Sequence, residues 1–183
     1  MTERAAVQQG RVVALRCGSA AVAGALAERL ALQGFETVPD AEVLVVLDTP
    51  RGYAPALLAD LPAGRRAVVV TWSFCPEYID DVWDAGAAVL LVGDGLSLDL
   101  AAAIGWAAQG ERRRLVPVPP STLTALERRV LRLLARGCSN QQIATALAIQ
   151  VQTVKNTATA IYAKIGVPNR SAALLYYWGI WPG

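Results

Sequence analysis

The side chains of this 183-residue chain that can hold an anion are sorted toward one end. Residues 121–183 carry Arg128, Arg129, Arg132, Arg136, Lys155, Lys164 and Arg170 against one acid, Glu127, a net +6. Residues 1–120 carry ten basic and fourteen acidic residues, a net −4, so the overall +2 conceals a division of charge. Seven cations in so short a segment form an electrostatic footprint for the phosphates of nucleic acid. Bond-making chemistry is poorly supplied. There is no histidine, which removes the usual general base, a common metal ligand and any phospho-relay histidine. No nucleophile motif and no glycine-rich phosphate loop is present. The three cysteines, Cys17, Cys75 and Cys138, are odd in number and lack metal-ligand spacing, which suits a reducing cytosol. The expectation is a protein that is not an enzyme, with no catalytic residue, no metal and no cofactor.

The elements that must present those cations are legible as helices. Val130, Leu131, Leu133 and Leu134 form one apolar face of a first helix. Gly137 stands where a helix end needs a residue tolerant of the left-handed conformation. Ser139 opens a second helix with Gln142 as its capping-box partner, and Ile143, Ala144 and Leu147 face inward on it. Val151, Val154, Ala158, Ile161 and Ile165 mark a third helix. Small Ala144 lets two of these helices cross closely. The pattern is a helix-turn-helix whose third helix is short enough to lie in a major groove.

Upstream, short apolar strands alternate with helices. Strands are expected over 11–16, 35–38, 42–47, 67–72 and 88–92, and helices over 20–34, 55–60, 76–85 and 98–110. Five strand–helix units of this kind predict a parallel sheet covered on both faces, in a flavodoxin-like order, with any site at the C-terminal strand ends. Residues 111–121 hold three prolines without periodicity and read as a semi-rigid linker. The expected division is therefore 1–110, linker 111–121 and 122–183. No apolar run reaches the roughly 18 residues that span a bilayer, because Asp94 and Asp99 interrupt the richest one. The N-terminus leads into no signal-peptide core. A cytoplasmic location without membrane contact follows as an expectation.

The C-terminal segment resembles the four-helix DNA-binding domain of the LuxR/NarL/FixJ class of bacterial transcription regulators. The matching pieces are Leu123-Thr124, Glu127, Val130-Leu131, Leu134-Ala135, Gly137, Ser139-Asn140, Ile143-Ala144, Leu147, Thr153-Val154-Lys155-Asn156, Ile161, Lys164, Gly166-Val167, Arg170 and Ala172, in order over about 50 residues. The resemblance implies double-stranded DNA as partner. It brings Thr153, Lys155 and Asn156 to the groove, with Gln152 and Thr159 nearby, and Ser139, Asn140 and Gln141 to phosphates through a helix N-terminus. Lys164 and Arg170 become further phosphate contacts. Two departures stand out: Gln150 replaces the usual serine cap of the third helix, and Thr157 replaces the usual histidine. The last helix, with Leu175, Tyr176 and Trp178 followed by Ile180-Trp181, is the implied homodimer contact.

The upstream domain resembles a response-regulator receiver. Asp48 ends Val-Val-Leu-Asp at the phospho-acceptor position, with Pro50 beyond it. Thr71 takes the switch position, and Ala85-Gly86-Ala87 precedes the fifth strand. Where receivers place an acidic pair for Mg²⁺ stand Arg16 and Cys17, and where they place a lysine stands Gly93. A lone aspartate is poorly equipped for phosphoryl transfer, so the resemblance implies a pseudo-receiver. Either Arg16 fills the cation position beside Asp48, or Arg16 faces solvent and Asp48 caps the next loop. A buried carboxylate needs some partner. The input is then a small-molecule ligand at the strand ends (around Cys17, Gly18, Asp48, Thr49, Thr71, Trp72 and Gly93), a partner, or constitutive dimerisation. Rival readings are a conventional two-component regulator phosphorylated at Asp48, and a ligand-sensing or adaptor protein that has lost DNA binding.

Overall fold

The computed structural model describes residues 11–93 and 99–180. Among them the chain separates into two compact units. One holds the described residues to Trp72 together with Val82–Pro117; the other holds Ser73–Asp81 and the described residues from Val118 onward.

The first unit is built on a parallel sheet. The strands β1 (Val12–Cys17), β2 (Glu36–Thr37), β3 (Val43–Leu47), β4 (Arg66–Thr71), β5 (Val89–Val92) and β6 (Arg113–Leu115) run in the order β2-β1-β3-β4-β5-β6. All five pairings are parallel. Every residue of β3 is buried, as a central strand covered on both faces requires. The helices between strands are α1 (Ala20–Leu32), α2 (Tyr53–Ala59), α3 (Pro76–Asp84) and α4 (Leu100–Ala108). One core joins Val13, Val43, Val45, Val68, Val70 and Leu91 of the strands to Leu30 of α1 and Ile104 of α4.

The doubly wound, receiver-like architecture stands, but the sheet has six strands where five were expected. The extra one, Arg113–Leu115, lies inside the stretch read as a linker. Arg113 donates its backbone N–H to Ala88 O at 3.0 Å, its guanidinium stacks on Trp106 at 4.4 Å, and it pairs with Glu111 at 2.6 Å. An edge strand needs only one neighbour, and the prolines begin just past it, at Pro117. Leu98, the expected start of α4, and Trp181 lie outside the described residues.

Beside the Ser73–Asp81 segment, the second unit carries the four expected C-terminal helices: α5 (Ala125–Ala135), α6 (Asn140–Leu147), α7 (Val151–Ile165) and α8 (Arg170–Tyr177). Thr124 and Glu127 close a capping box on α5, and Ser139 and Gln142 close one on α6. Gly137 and Gly166 adopt φ 82° and 71°. Gln150 precedes α7 without a side-chain cap. The core is Val130, Leu131, Leu134, Ile143, Val154 and Ile161, each fully buried.

Candidate functional site

Alternation along α7 sets its outer face. Val154, Ala158 and Ile161 point into the core, while Gln152, Thr153, Lys155, Asn156 and Thr159 are all exposed. The helical repeat puts these five polar side chains on one face over the first half of this 15-residue helix. Gln152 Nε2 donates to Asn156 Oδ1 at 2.9 Å, which orients both amides, and Thr159 donates to the Lys155 carbonyl at 3.1 Å. Among the described residues the Lys155 ammonium makes no ion pair or hydrogen bond. Ser139, Asn140 and Gln141 form the start of α6, where free backbone N–H groups and the helix dipole favour an anion.

Two other expected phosphate contacts are tied inward. Lys164 Nζ lies 2.8 Å from Glu127 Oε2, and the same carboxylate accepts the Thr124 N–H at 2.8 Å. Both interactions hold the Glu127 carboxyl below the usual range, the hydrogen bond from Lys164 being the larger cause. Arg170 donates to the Cys138 carbonyl at 2.6 Å, bracing the turn between α5 and α6.

At the last helix the structure divides the three expected dimer residues. Leu175 is exposed. Trp178 instead donates to Ala135 O at 3.1 Å, and its ring meets those of Tyr78 and Tyr177 at 5.8 and 5.2 Å. Tyr176 donates to Glu77 Oε2 at 2.9 Å. The acidic residues Glu77, Asp80 and Asp81 of the Ser73–Asp81 segment are buried within this unit and were not foreseen. Arg132 reaches Asp81 through both Nε and Nη2, with Nε at 2.8 Å, and Tyr177 donates to Asp81 Oδ2 at 2.6 Å. Burial, then the adjacent carboxylates, push both tyrosines far above their usual range, so they act as donors. Spacing of acids along a helix marks a solvated face as readily as a buried one, so sequence gave no signal here.

In the first unit, Asp48 sits just past β3 and is 1% exposed. Thr71 Oγ1 donates to Asp48 Oδ2 at 2.8 Å, and the Ala54 N–H donates to Oδ1 at 3.0 Å. Gly52 caps α2 without a side chain, so the carboxylate of Asp48 supplies the capping acceptor, favoured by the positive end of the helix. The Arg16–Asp48 ion pair is not formed: Arg16 Nη1 donates to Leu15 O at 3.0 Å. The alternative, Asp48 as a cap, is the arrangement seen. Cys17 Sγ meets Thr49 O at 3.8 Å and the Ser19 N–H at 3.4 Å. Gly18 donates to Thr49 O at 2.8 Å, and a Cβ on Gly18 would meet Thr49 O and Pro50 Cδ at 2.6 Å. The loop after β3 therefore closes directly onto the end of β1. Gly93 donates its N–H to Thr71 O at 3.1 Å and has φ 131°.

Mg²⁺, which a receiver implies, does not fit these residues. Arg16 and Cys17 offer no carboxylate, and both Asp48 oxygens already accept internal hydrogen bonds. No group of three or more potential ligands among the described residues could hold a metal. At the strand ends where a small ligand was expected, Asp48 and Thr49 accept internal hydrogen bonds from Thr71, Ala54 and Gly18. A cavity of about 240 Å³ lies beside them, between α1 and the start of α4, and shares only Trp72 with the expected set. No helix among the described residues is long and apolar enough to cross a membrane.

Residues 121–177 match the family described as bacterial regulatory proteins, luxR family. The chain is 40% identical over 95 residues to an HTH-type transcriptional regulator of Mycobacterium tuberculosis, Rv0890c, covering 51% of this chain and 10% of that protein. It is 31% identical over 139 residues to the DNA-binding transcriptional activator DevR/DosR of the same organism, covering 76% of this chain and 60% of that one. The chain thus spans from a tenth to three-fifths of the length of these relatives. Among solved structures, it superposes with TM-score 0.53 and 20% identity on RcsB from Salmonella enterica serovar Typhimurium, bound to promoter rprA, over 91% of this chain and 98% of that one. That likeness concerns the fold: a receiver-like α/β unit followed by a helical one. Residues 121–177 thus form a domain of the luxR family, and the α/β unit that precedes them has a receiver-like fold.

Proposed function

We propose that the chain is a sequence-specific, DNA-binding transcription regulator, dimeric on DNA, whose receiver-like unit works without phosphorylation. The observation that carries the first part is the exposed polar face of α7 within a LuxR-family domain. In this reading α7 lies in the major groove. Asn156 reads a base edge, Lys155 contacts guanine or phosphate, and Thr153, Gln152 and Thr159 complete the surface. The N-terminus of α6 sits on a phosphate. Lys164 and Arg170 first hold the module together, and their remaining N–H groups face the backbone. Leu175 is the residue of α8 left for a second copy.

The second part rests on Asp48. Its two oxygens are engaged by Thr71 and Ala54, and it is buried. Phosphoryl transfer needs a free carboxylate oxygen and a metal to neutralise the incoming charge. An input other than a phosphoryl group follows.

The test is DNA binding by the unmodified protein to fragments selected from a random pool, across a range of salt. Sequence-selective binding is expected without any phosphoryl donor. Lys155→Ala is expected to weaken it about tenfold and to reduce the salt slope by about one. Binding that is sequence-blind, or unchanged in Lys155→Ala, overturns the assignment.

A further inference from the structure

The arginines of α5 are shared between two adjacent stripes, and only one stripe is used. On the first, Arg132 clasps Asp81 and Arg128 lies 3.8 Å from Asp80. Those acids stand on one turn of the helical segment Pro76–Asp81, so α5 already holds the acidic face of a helix within its own unit. The neighbouring stripe carries Leu126, Arg129, Leu133 and Arg136, spaced at three and four residues. With Ala146 and Leu147 of α6, its residues from Arg129 onward and Arg132 line a pocket of about 200 Å³. Leu126 is exposed to 38%. Arg129 and Arg136 are exposed, and among the described residues neither side chain makes an ion pair or hydrogen bond.

We infer that this α5–α6 face docks an acidic amphipathic helix of a partner protein. The chemistry follows from the pairing of groups. Guanidinium forks favour carboxylates bidentately, and the leucines beneath them gain only if an apolar side chain covers them. DNA phosphates would satisfy the arginines and leave Leu126, Leu133 and Leu147 in water, so a helix bearing both Glu and Leu is the better complement. The use that Arg132 makes of Asp81 provides the precedent in the same helix. Regulation through such a face requires no residue of α7.

The test uses the full chain and a fluorescein-labelled synthetic helical peptide with Leu and Glu at three- and four-residue spacing. Two controls are the same peptide with Gln for Leu, and polyglutamate. Fluorescence anisotropy should show the Leu/Glu peptide binding at physiological salt about tenfold tighter than either control, and Arg129→Ala/Arg136→Ala should remove most of that advantage. Both arginines are exposed, so the variant should keep its circular dichroism spectrum. Its DNA salt slope should also be unchanged. Equal binding by wild type and variant, or by the Leu/Glu peptide and polyglutamate, overturns the inference. So does a fall of about two in the DNA salt slope, which would place both arginines on phosphates.

Discussion

A buried hydroxyl helps to hold Asp48 in its present state. Thr71 is fully buried and donates to Asp48 Oδ2. Replacing it by isosteric valine removes the donor while the carboxylate stays in place. A hydrogen bond to a charged group contributes about 1.5–3 kcal/mol, so Thr71→Val should lower the unfolding free energy by that amount, seen as a lower urea midpoint without change in m. An unchanged midpoint would mean that Asp48 does not depend on Thr71. Glu127 gives a second residue-level prediction. Its folded-state pKa is depressed, chiefly by Lys164. The stability it contributes is present above the unfolded value near 4.3 and is lost as pH falls through the folded value. Lys164 is 42% exposed, so solvent screening keeps the effect small, at most about 1 kcal/mol. Glu127→Gln retains the capping box, which accepts Glu or Gln, but removes the charge. Thermal melts from pH 6 downward should therefore show an acid-side loss, below about pH 4.5, that is smaller in the variant. Equal loss in both proteins would assign it to other carboxylates.

At the scale of elements, what could be read from sequence was what repeats. The four C-terminal helices were legible because their apolar residues recur at helical spacing and their ends carry capping residues: Ser139 with Gln142, and Gly137 and Gly166 beyond the last turns. The five main strands were legible as short apolar runs. What escaped was set by tertiary partners. Strand β6 exists because β5 offers it an edge, and the arginines of its sequence pattern as a linker. The internal use of Lys164, Arg170 and Trp178 could not be read because a cation or an aromatic near a helix end has the same spacing whether it faces DNA, a second copy or its own core. At Asp48 the residue types around it, Arg16, Cys17 and Gly93, were visible in sequence, but its capping role depended on where α2 begins. One local strain was equally hidden. Ala148, at the end of α6, adopts φ 53°, a left-handed conformation costing a residue with a Cβ about 1–2 kcal/mol. It is exposed, so Ala148→Gly should raise the melting temperature, by an amount corresponding to about 1 kcal/mol once the unfolded-state entropy of glycine is subtracted. A fall would show that the turn tolerates alanine without strain.

At the scale of the whole molecule, the two parts of the chain differ in what they can answer to. The C-terminal part is cationic and carries an exposed polar helix face; the N-terminal part is anionic and has Asp48 buried and hydrogen-bonded at the end of the sheet. If phosphorylation were the input, a phosphoryl analogue would have to enter at Asp48, break the Thr71 and Ala54 hydrogen bonds and lift the loop held against Gly18. Those are contacts on which the ends of β3 and α2 are built, and among the described residues no metal-binding group of side chains stands by to offset their loss. A ligand that binds only the folded state at a hundred times its Kd stabilises by about 2.7 kcal/mol, enough to move a melting temperature by several degrees in a domain of this size. Mg²⁺ with beryllofluoride should therefore leave both the melting temperature and the DNA affinity of the full chain where they are. A rise of several degrees, abolished by Asp48→Asn and accompanied by tighter DNA binding, would return the protein to the conventional phospho-switch class. A flat response, beside sequence-selective binding by the same sample, separates the regulator from its phosphate and directs the search for its input to a partner, a ligand or its own concentration.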